Sequence, residues 1–427
     1  MTMRDAQKSG PGEERPPRAS ERSTIFSYLD RSGPAVVGLQ SLLTSIPALA
    51  PESGGDGEME KAEALVGWLA GKGIRAIERY DAPDPRVSSG LRPNIVATIP
   101  GSSDEGRLWI MTHLDVVPAG DLSMWSSDPF KVVHTDGKVM GRGVEDDQQD
   151  MVASILAALA FTENGLVPTR TIKLLFVADE EVGSKYGICH LLKKAPGLFH
   201  GDDLIVIPDG GSADGSKIEV AEKNICWLRV VTKGKQTHAA TPDQGANAFL
   251  AASALALAAH ALEREVFKAR DGLFEPDRTT INPTKKEANV PNVNTIPGDD
   301  VFYLDMRILP QYPVARVLEE LSKRMRVVEK EYGVTVSYEV LESTESKPTR
   351  SDAPVVTALG RVVRSVYGIE AKAIGIGGGT VGAHLRNAGL ECVVWGRVDD
   401  TAHQPNEYSL LANTIGDAKV FAALALE

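Results

Sequence analysis

The chain has 427 residues, 42% of them apolar and 24% charged, values ordinary for a folded globular protein, which excludes a disordered or fibrous one. That length accommodates two or three domains with a large buried core. Its 46 basic against 58 acidic residues leave a formal charge of −12, which repels nucleic acid and anionic membrane unless a basic patch offsets it, and the sequence has no such patch.

Residues 1–23 carry Arg4, Lys8, Pro11, Glu13, Glu14, Pro16 and Pro17 without an apolar core, so they read as a disordered tail and not a secretory signal. A cytoplasmic location is the resulting expectation. From 24 to 223 apolar strands alternate with helical patterns, as in 108–112, 151–161, 172–178 and 204–207, the pattern of an α/β domain with a mostly parallel sheet covered by helices. The longest apolar run, 248–262, is largely alanine and broken by Ser253 and His260, too short and weak to span a bilayer. Residues 224–342 change character: strand 226–232, helix 245–268, a strand near 279–287, strand 300–308, helix 314–332 and strand 334–341. That order is βαββαβ, an α+β unit of the ferredoxin-like kind. Its second helix spaces Val314, Leu318, Leu321, Met325, Val328 and Tyr332 by three and four, and Gly333 closes it. After a polar linker the βα pattern returns over 343–427, so the small unit is inserted into the large domain. The three cysteines, Cys189, Cys226 and Cys392, are scattered and form no CxxC, which argues against a disulfide framework or a thiolate zinc site.

In open parallel sheets ligands bind beyond the carboxyl ends of the strands. Polar groups stand at several such ends here. His113 and Asp115 follow 108–112, where Asp115 could support an imidazole that binds metal; solvated or structural roles are the plain alternative. Asp179, Glu180 and Glu181 follow 172–178, where adjacent carboxylates could serve a metal and a reacting water separately or simply start a helix. Asp209 precedes Gly210 and Gly211 in a turn, and His403 lies just past the last strand. Gly141-Arg142-Gly143 leads to Glu145, Asp146 and Asp147, where N-capping is the simpler reading. Singly these are weak, but two histidines and several carboxylates at strand ends of one sheet suit a pair of divalent ions bridged by one carboxylate.

The ordered set His-Leu-Asp, Gly-Arg-Gly with Asp three residues on, Asp-Glu-Glu, Pro-Asp and Ala-His-Gln resembles the M20 family of dinuclear zinc hydrolases, which includes desuccinylases, deacetylases, carboxypeptidases and dipeptidases. The resemblance spans nearly all of residues 40–427. It implies that His113 and Asp209 bind one metal, Glu181 and His403 the other, and Asp146 bridges them, with Asp115 supporting His113 and Glu180 as general base toward a metal-bridging water. Two ions per subunit, Zn²⁺ first and Co²⁺ or Mn²⁺ as substitutes, follow from it. The inserted unit corresponds to a lid and dimerisation domain in which His238 reaches the partner subunit's site. Arg307 and Asn294, with Gly378 and Thr380 of the glycine run, correspond to residues that hold a substrate carboxylate. Strand alternation independently puts Tyr303, Asp305 and Arg307 on one face, opposite Phe302, Leu304, Met306 and Ile308, where a plain surface salt bridge is the alternative role for Arg307. The expected function is therefore hydrolysis of an amide or peptide bond in a small substrate with a free carboxylate, a dipeptide or an N-acyl amino acid. Asp209, where deacylases tend to carry glutamate, tilts the expectation to a peptidase. Gln148 and Val381 depart from the family's usual lysine and acidic residue, which bears on the substrate class.

Two readings lie outside this class. Gly377, Gly379 and Gly382 satisfy G-x-G-x-x-G and raise an NAD-dependent oxidoreductase, but the preceding strand is short and Glu391 comes before the next strand instead of ending it. A catalytically inactive binding protein would lack a ligand or the base, and none is missing.

Overall fold

The computed structural model describes residues 19–427. The first helix begins at Ala19 and runs to Leu29, so Ala19–Ser23 are helical where a tail was expected; the rest of that expected tail lies outside the described residues.

An eight-stranded sheet forms the large domain, in the order Ile77–Arg79, Ile95–Ile99, Arg170–Val177, Ser103–His113, Leu204–Ile207, Cys392–Val394, Lys217–Glu222 and Lys372–Ile376. Its centre, from Arg170–Val177 to Cys392–Val394, is parallel. Ile95–Ile99 and Lys217–Glu222 run against those neighbours, so the sheet is mixed where a mostly parallel one was expected. Connection length explains this. A parallel return needs a crossover of a dozen or more residues, whereas residues 100–102 and 208–216 leave room only for a reversal.

Both faces of the sheet are covered. Leu108, Ile110, Leu174 and Val206 point to one core, and Trp109, Met111, Leu175 and Ile205 to the other, the period-2 alternation of a strand buried on both sides. The helix Gln148–Thr162 is buried on nearly every side, between the sheet and the helix Leu411–Leu426. Its rigid placement matters because its first turn adjoins Asp146.

A second, four-stranded sheet is antiparallel throughout, in the order Thr280–Lys286, Asp299–Ile308, Asn224–Lys233 and Thr335–Thr344. Helices Ala248–Glu265 and Val314–Tyr332 cover one face through Leu255, Leu262, Val317 and Leu321. Phe302, Leu304, Met306 and Ile308 are buried beneath them, while Tyr303, Asp305 and Arg307 alternate onto the opposite face. Gly333, at φ +66, ends the second helix in a left-handed turn that glycine adopts without strain. Ile225 pairs with Thr344, so the chain enters and leaves this unit on adjacent strands. Asn224 ties the junction: its Oδ1 accepts from Ser346 N at 2.9 Å and its Nδ2 donates to Tyr312 O at 3.1 Å. No described helix is long and apolar enough to cross a membrane.

Candidate metal centre

Five segments converge at the carboxyl ends of the central strands. His113 ends its strand, Asp209 follows Leu204–Ile207, and Glu180 and Glu181 sit in the single turn Glu180–Val182 beyond Arg170–Val177. Asp146 stands in the loop before Gln148–Thr162, and His403 in the loop after Cys392–Val394. The Asp146 carboxylate lies between the two imidazoles: Oδ1 is 2.8 Å from His113 Nε2 and Oδ2 is 2.9 Å from His403 Nε2. Glu181 Oε2 is 3.1 Å from His403 Nε2, and Asp209 Oδ1 is 3.8 Å from His113 Nε2. Ligand atoms of His113, Asp146 and Glu181 lie within 4.8 Å of one another, as do those of His113, Glu180 and Asp209. These clusters of imidazole and carboxylate donors suit two divalent ions, the donor chemistry of zinc and its neighbours.

The groups around them are fixed from behind. His113 Nδ1 is 3.0 Å from the Asp115 carbonyl and 3.5 Å from its carboxylate, which leaves Nε2 directed at the cluster. Asp115 lies past the strand end, and its carboxylate does more than support His113. It accepts the N–H groups of Glu180 and Glu181 at 3.1 and 3.0 Å, holding the turn that presents both. Asp147 opens the helix without a side-chain cap and instead accepts His113 N at 3.1 Å; the Asp146–Asp147 peptide bond is cis. Asp179, at φ +66, is anchored by Arg92, whose guanidinium is also paired with buried Glu58.

Burial opposes charge at His113, but hydrogen bonds to Asp115 and Asp146 outweigh it and raise the imidazole well above its ordinary value. His403 is pushed up to about 10, first by its hydrogen bond to Asp146 and then by that to Glu181. Burial also penalises the Asp146 carboxylate, yet the same two imidazoles hold it well below the usual range. Glu180 is driven the other way, up to about 7, by burial and then by the charges of Asp115, Glu181 and Asp146, against the opposing pull of His113. An imidazole binds a metal ion only when deprotonated, so metal binding at this cluster competes with these protons.

The other expected site residues fall into two groups away from this cluster. Arg307 donates Nε and Nη2 to the Asp305 carboxylate at 2.8 and 3.0 Å and Nη1 to the Gly377 carbonyl at 2.8 Å. Gly378 belongs to the same loop, and Thr380 donates to Glu222. This loop follows the edge strand Lys372–Ile376, four positions from the His113 strand and roughly 19 Å away laterally at ~4.8 Å per strand. His238 and Asn294 share an exposed two-stranded ribbon, Thr237–His238 against Thr295–Ile296, with Ala239 N donating to Asn294 O at 2.9 Å. Among the described residues no hydrogen bond or ion pair joins them to the cluster. The glycine run that satisfies a dinucleotide motif leads into a helix of only six residues, Gly382–Asn387, with its first carbonyl taken by Arg307.

Sequence reasoning passed over Glu145 and Glu407. Glu407 accepts the N–H groups of Gly143, Glu145 and Asp146 at 3.0, 2.9 and 3.2 Å and pairs with Arg142. Its position four residues after His403 was the available signal.

Comparisons with known proteins agree with this geometry. A metallohydrolase of Methanocaldococcus jannaschii is 37% identical over 403 residues, covering 90% of this chain and 97% of the relative. The succinyl-diaminopimelate desuccinylase of Wolinella succinogenes is 29% identical over 309 residues, 71% of this chain and 79% of that protein. Among solved structures, aminopeptidase PepT of Bacillus cereus superposes with a TM-score of 0.73 at 18% identity, covering 92% of this chain and 98% of that one. Human carnosine dipeptidase 1 gives 0.68 at 19%, covering 95% and 99%. These two likenesses speak to the fold. The model of peptidase family M20/M25/M40 matches residues 109–427, a span that includes every histidine and carboxylate of the cluster, and the chain belongs to that family.

Proposed function

We propose that the protein is a dinuclear metallohydrolase that cleaves an amide or peptide bond in a small substrate bearing a free carboxylate. The observation that carries this reading is one carboxylate, Asp146, spanning two imidazoles at 2.8 and 2.9 Å, the arrangement a bridging ligand requires. His113 and Asp209 would hold one ion, Glu181 and His403 the other, with zinc the first choice. Bound there, the two ions supply an acidified water and polarise the scissile carbonyl. Glu180, half-buried and poised near neutrality, takes the proton of the attacking water and delivers it to the departing nitrogen. Asp115 keeps that carboxylate in place through its backbone N–H.

The inserted unit has the strand order of a ferredoxin-like fold and acts in this reading as lid and dimerisation domain. Its closure over the strand ends brings Arg307 toward the centre, where Arg307 and Asn294 hold the substrate carboxylate with Gly378 and Thr380 of the large domain. Arginine suits that task because its planar fork contacts both carboxylate oxygens. An apolar groove of about 640 Å³ between the helix Ala248–Glu265 and the edge strand Thr280–Lys286, with Phe249 and Leu257 exposed beside it, supports pairing with a second copy. In that dimer His238 completes the partner's site and stabilises the oxyanion. Asp209 favours dipeptides over N-acyl amino acids. A panel of dipeptides and N-acetyl and N-succinyl amino acids, assayed with Zn²⁺, Mn²⁺ or Co²⁺, tests the assignment. Turnover of N-acyl substrates alone replaces dipeptidase by deacylase, and turnover of neither class refutes the proposal.

A further inference from the structure

We propose that Glu145 and Glu407 are positioning residues for the metal site that contains His403. Each reaches from one ligand-bearing loop to hold the other. This rests on the dinuclear reading above and goes beyond it in making the two ion sites mechanically unequal.

Glu145 immediately precedes Asp146, yet its carboxylate accepts from the other loop: Asp399 N at 2.6 Å, Thr401 N, and Thr401 Oγ1 at 2.7 Å. Glu407 stands on the far side of His403, and its three backbone donors belong to the loop that carries Asp146. Both carboxylates are buried, 4% and 1% exposed, so water does not compete for these bonds. The exchange is reciprocal: the residue beside one ligand fixes the loop of the other.

The His403 loop needs such fixing. Asp400, His403 and Asn406 have φ of 66, 63 and 60, a left-handed conformation that Asp and Asn tolerate but that His403 holds only where neighbours fix it. The His403 side chain is 55% exposed, so packing does not orient it. His113 is the opposite case, 2% exposed at the end of a central strand with Nδ1 held by Asp115. The site of His113 and Asp209 is thus built on strands, and that of Glu181 and His403 depends on a strained loop that the two glutamates hold. A carboxylate accepts several donors at once, so each glutamate fixes two or more points of the facing loop.

The test uses Thr401→Val, which keeps the side chain's shape but removes the hydroxyl that Glu145 and Tyr408 contact, with Thr401→Ser as the conservative variant and Glu145→Gln as the direct one. Metal-free full-length protein is titrated with Co²⁺ against a chromophoric chelator, and its urea midpoint is measured in parallel. Wild type takes up about two equivalents. Thr401→Val and Glu145→Gln should keep the first equivalent and bind the second about 10–100-fold more weakly, and Thr401→Ser should regain it. Should Glu145→Gln fail to fold, the two Thr401 variants decide alone. Unchanged affinity for the second equivalent in Thr401→Val overturns the proposal, as does equal weakening of both equivalents together with a lowered urea midpoint. A wild-type protein that binds only one equivalent overturns the dinuclear reading and this inference with it.

Discussion

Glu219 offers a stability test that needs neither substrate nor metal. It sits in the strand Lys217–Glu222, paired with Ile374 and Val394, and is 7% exposed. Burial, followed by the Glu222 charge, pushes its carboxyl from an ordinary 4.5 up to about 7, with Arg386 and Lys217 pulling the other way. The folded state therefore binds this proton more tightly than the unfolded chain does between pH 4.5 and 7, and stability falls as pH rises through that window. At 1.36 kcal/mol per pH unit the penalty reaches about 3 kcal/mol above pH 7. Glu219→Gln cannot ionise, so in EDTA-treated protein it should match wild type near pH 4.5 and exceed it by about 2–3 kcal/mol at pH 8.5. Urea unfolding of both proteins at the two pH values, compared at constant slope, measures that difference of differences. An advantage that does not change with pH, or a variant less stable than wild type at pH 8.5, would show that Arg386 keeps the carboxylate ionised and refute the argument.

Glu180→Gln should keep both metals while kcat falls on the order of 10²–10⁴-fold, whereas Glu181→Gln should weaken metal binding; the reverse pattern in elemental analysis and kinetics would exchange their roles. Because hydrogen bonds to carboxylates raise both His113 and His403, the latter to about 10, Zn²⁺ binding at pH 7 should release protons and tighten as pH rises toward 10, which an indicator dye in weak buffer detects. Loading without proton release would mean that neither imidazole carries a proton before the metal arrives and would refute the raised values. Arg307→Lys should raise KM for carboxylate substrates by roughly tenfold or more despite the retained charge, and wild type should turn over the carboxyl amide poorly. Equal turnover of acid and amide sinks that assignment. Mixing inactive His238→Ala and Glu180→Ala proteins should restore part of the activity on subunit exchange, and a strictly monomeric protein by light scattering would exclude the shared site.

The strand-end cluster was legible because each of its residues follows an apolar run that can only be an inner strand, so His113, Glu180, Glu181 and Asp209 inherit their place from the strands before them. The inserted unit was legible for a similar reason: Phe302, Leu304, Met306 and Ile308 alternate, and Val314 to Val328 repeat at helical spacing. Lys217–Glu222 was harder to see, since a charged strand near a sheet edge lacks the continuous apolar run of an inner one. For Glu145 and Glu407 the sequence offered only their nearness to Asp146 and His403. Their partners are backbone N–H groups some 260 positions away in the chain, and no side-chain pattern records an N–H donor. Arg307 was correctly placed on the open face, and Asp305, two residues along the same strand, supplies the salt bridge that was the alternative role for it.

The side-by-side entry and exit of the inserted unit constrain how it can travel. Two crossings held together by the Ile225–Thr344 pairing and by Asn224 form a short axle, which permits rocking about one line and resists twisting or sliding. Two latches act beyond that axle: Arg307 Nη1 on Gly377 O, and Lys223 Nζ on the carbonyls of Pro276 and Arg278, both at 2.7 Å. The arginine latch spans the cleft, while the lysine pair stiffens the axle's own bearing. Were the unit to rock, Arg307 would give up the Gly377 carbonyl but keep its two bonds to Asp305 on its own strand, so the guanidinium would not be left bare.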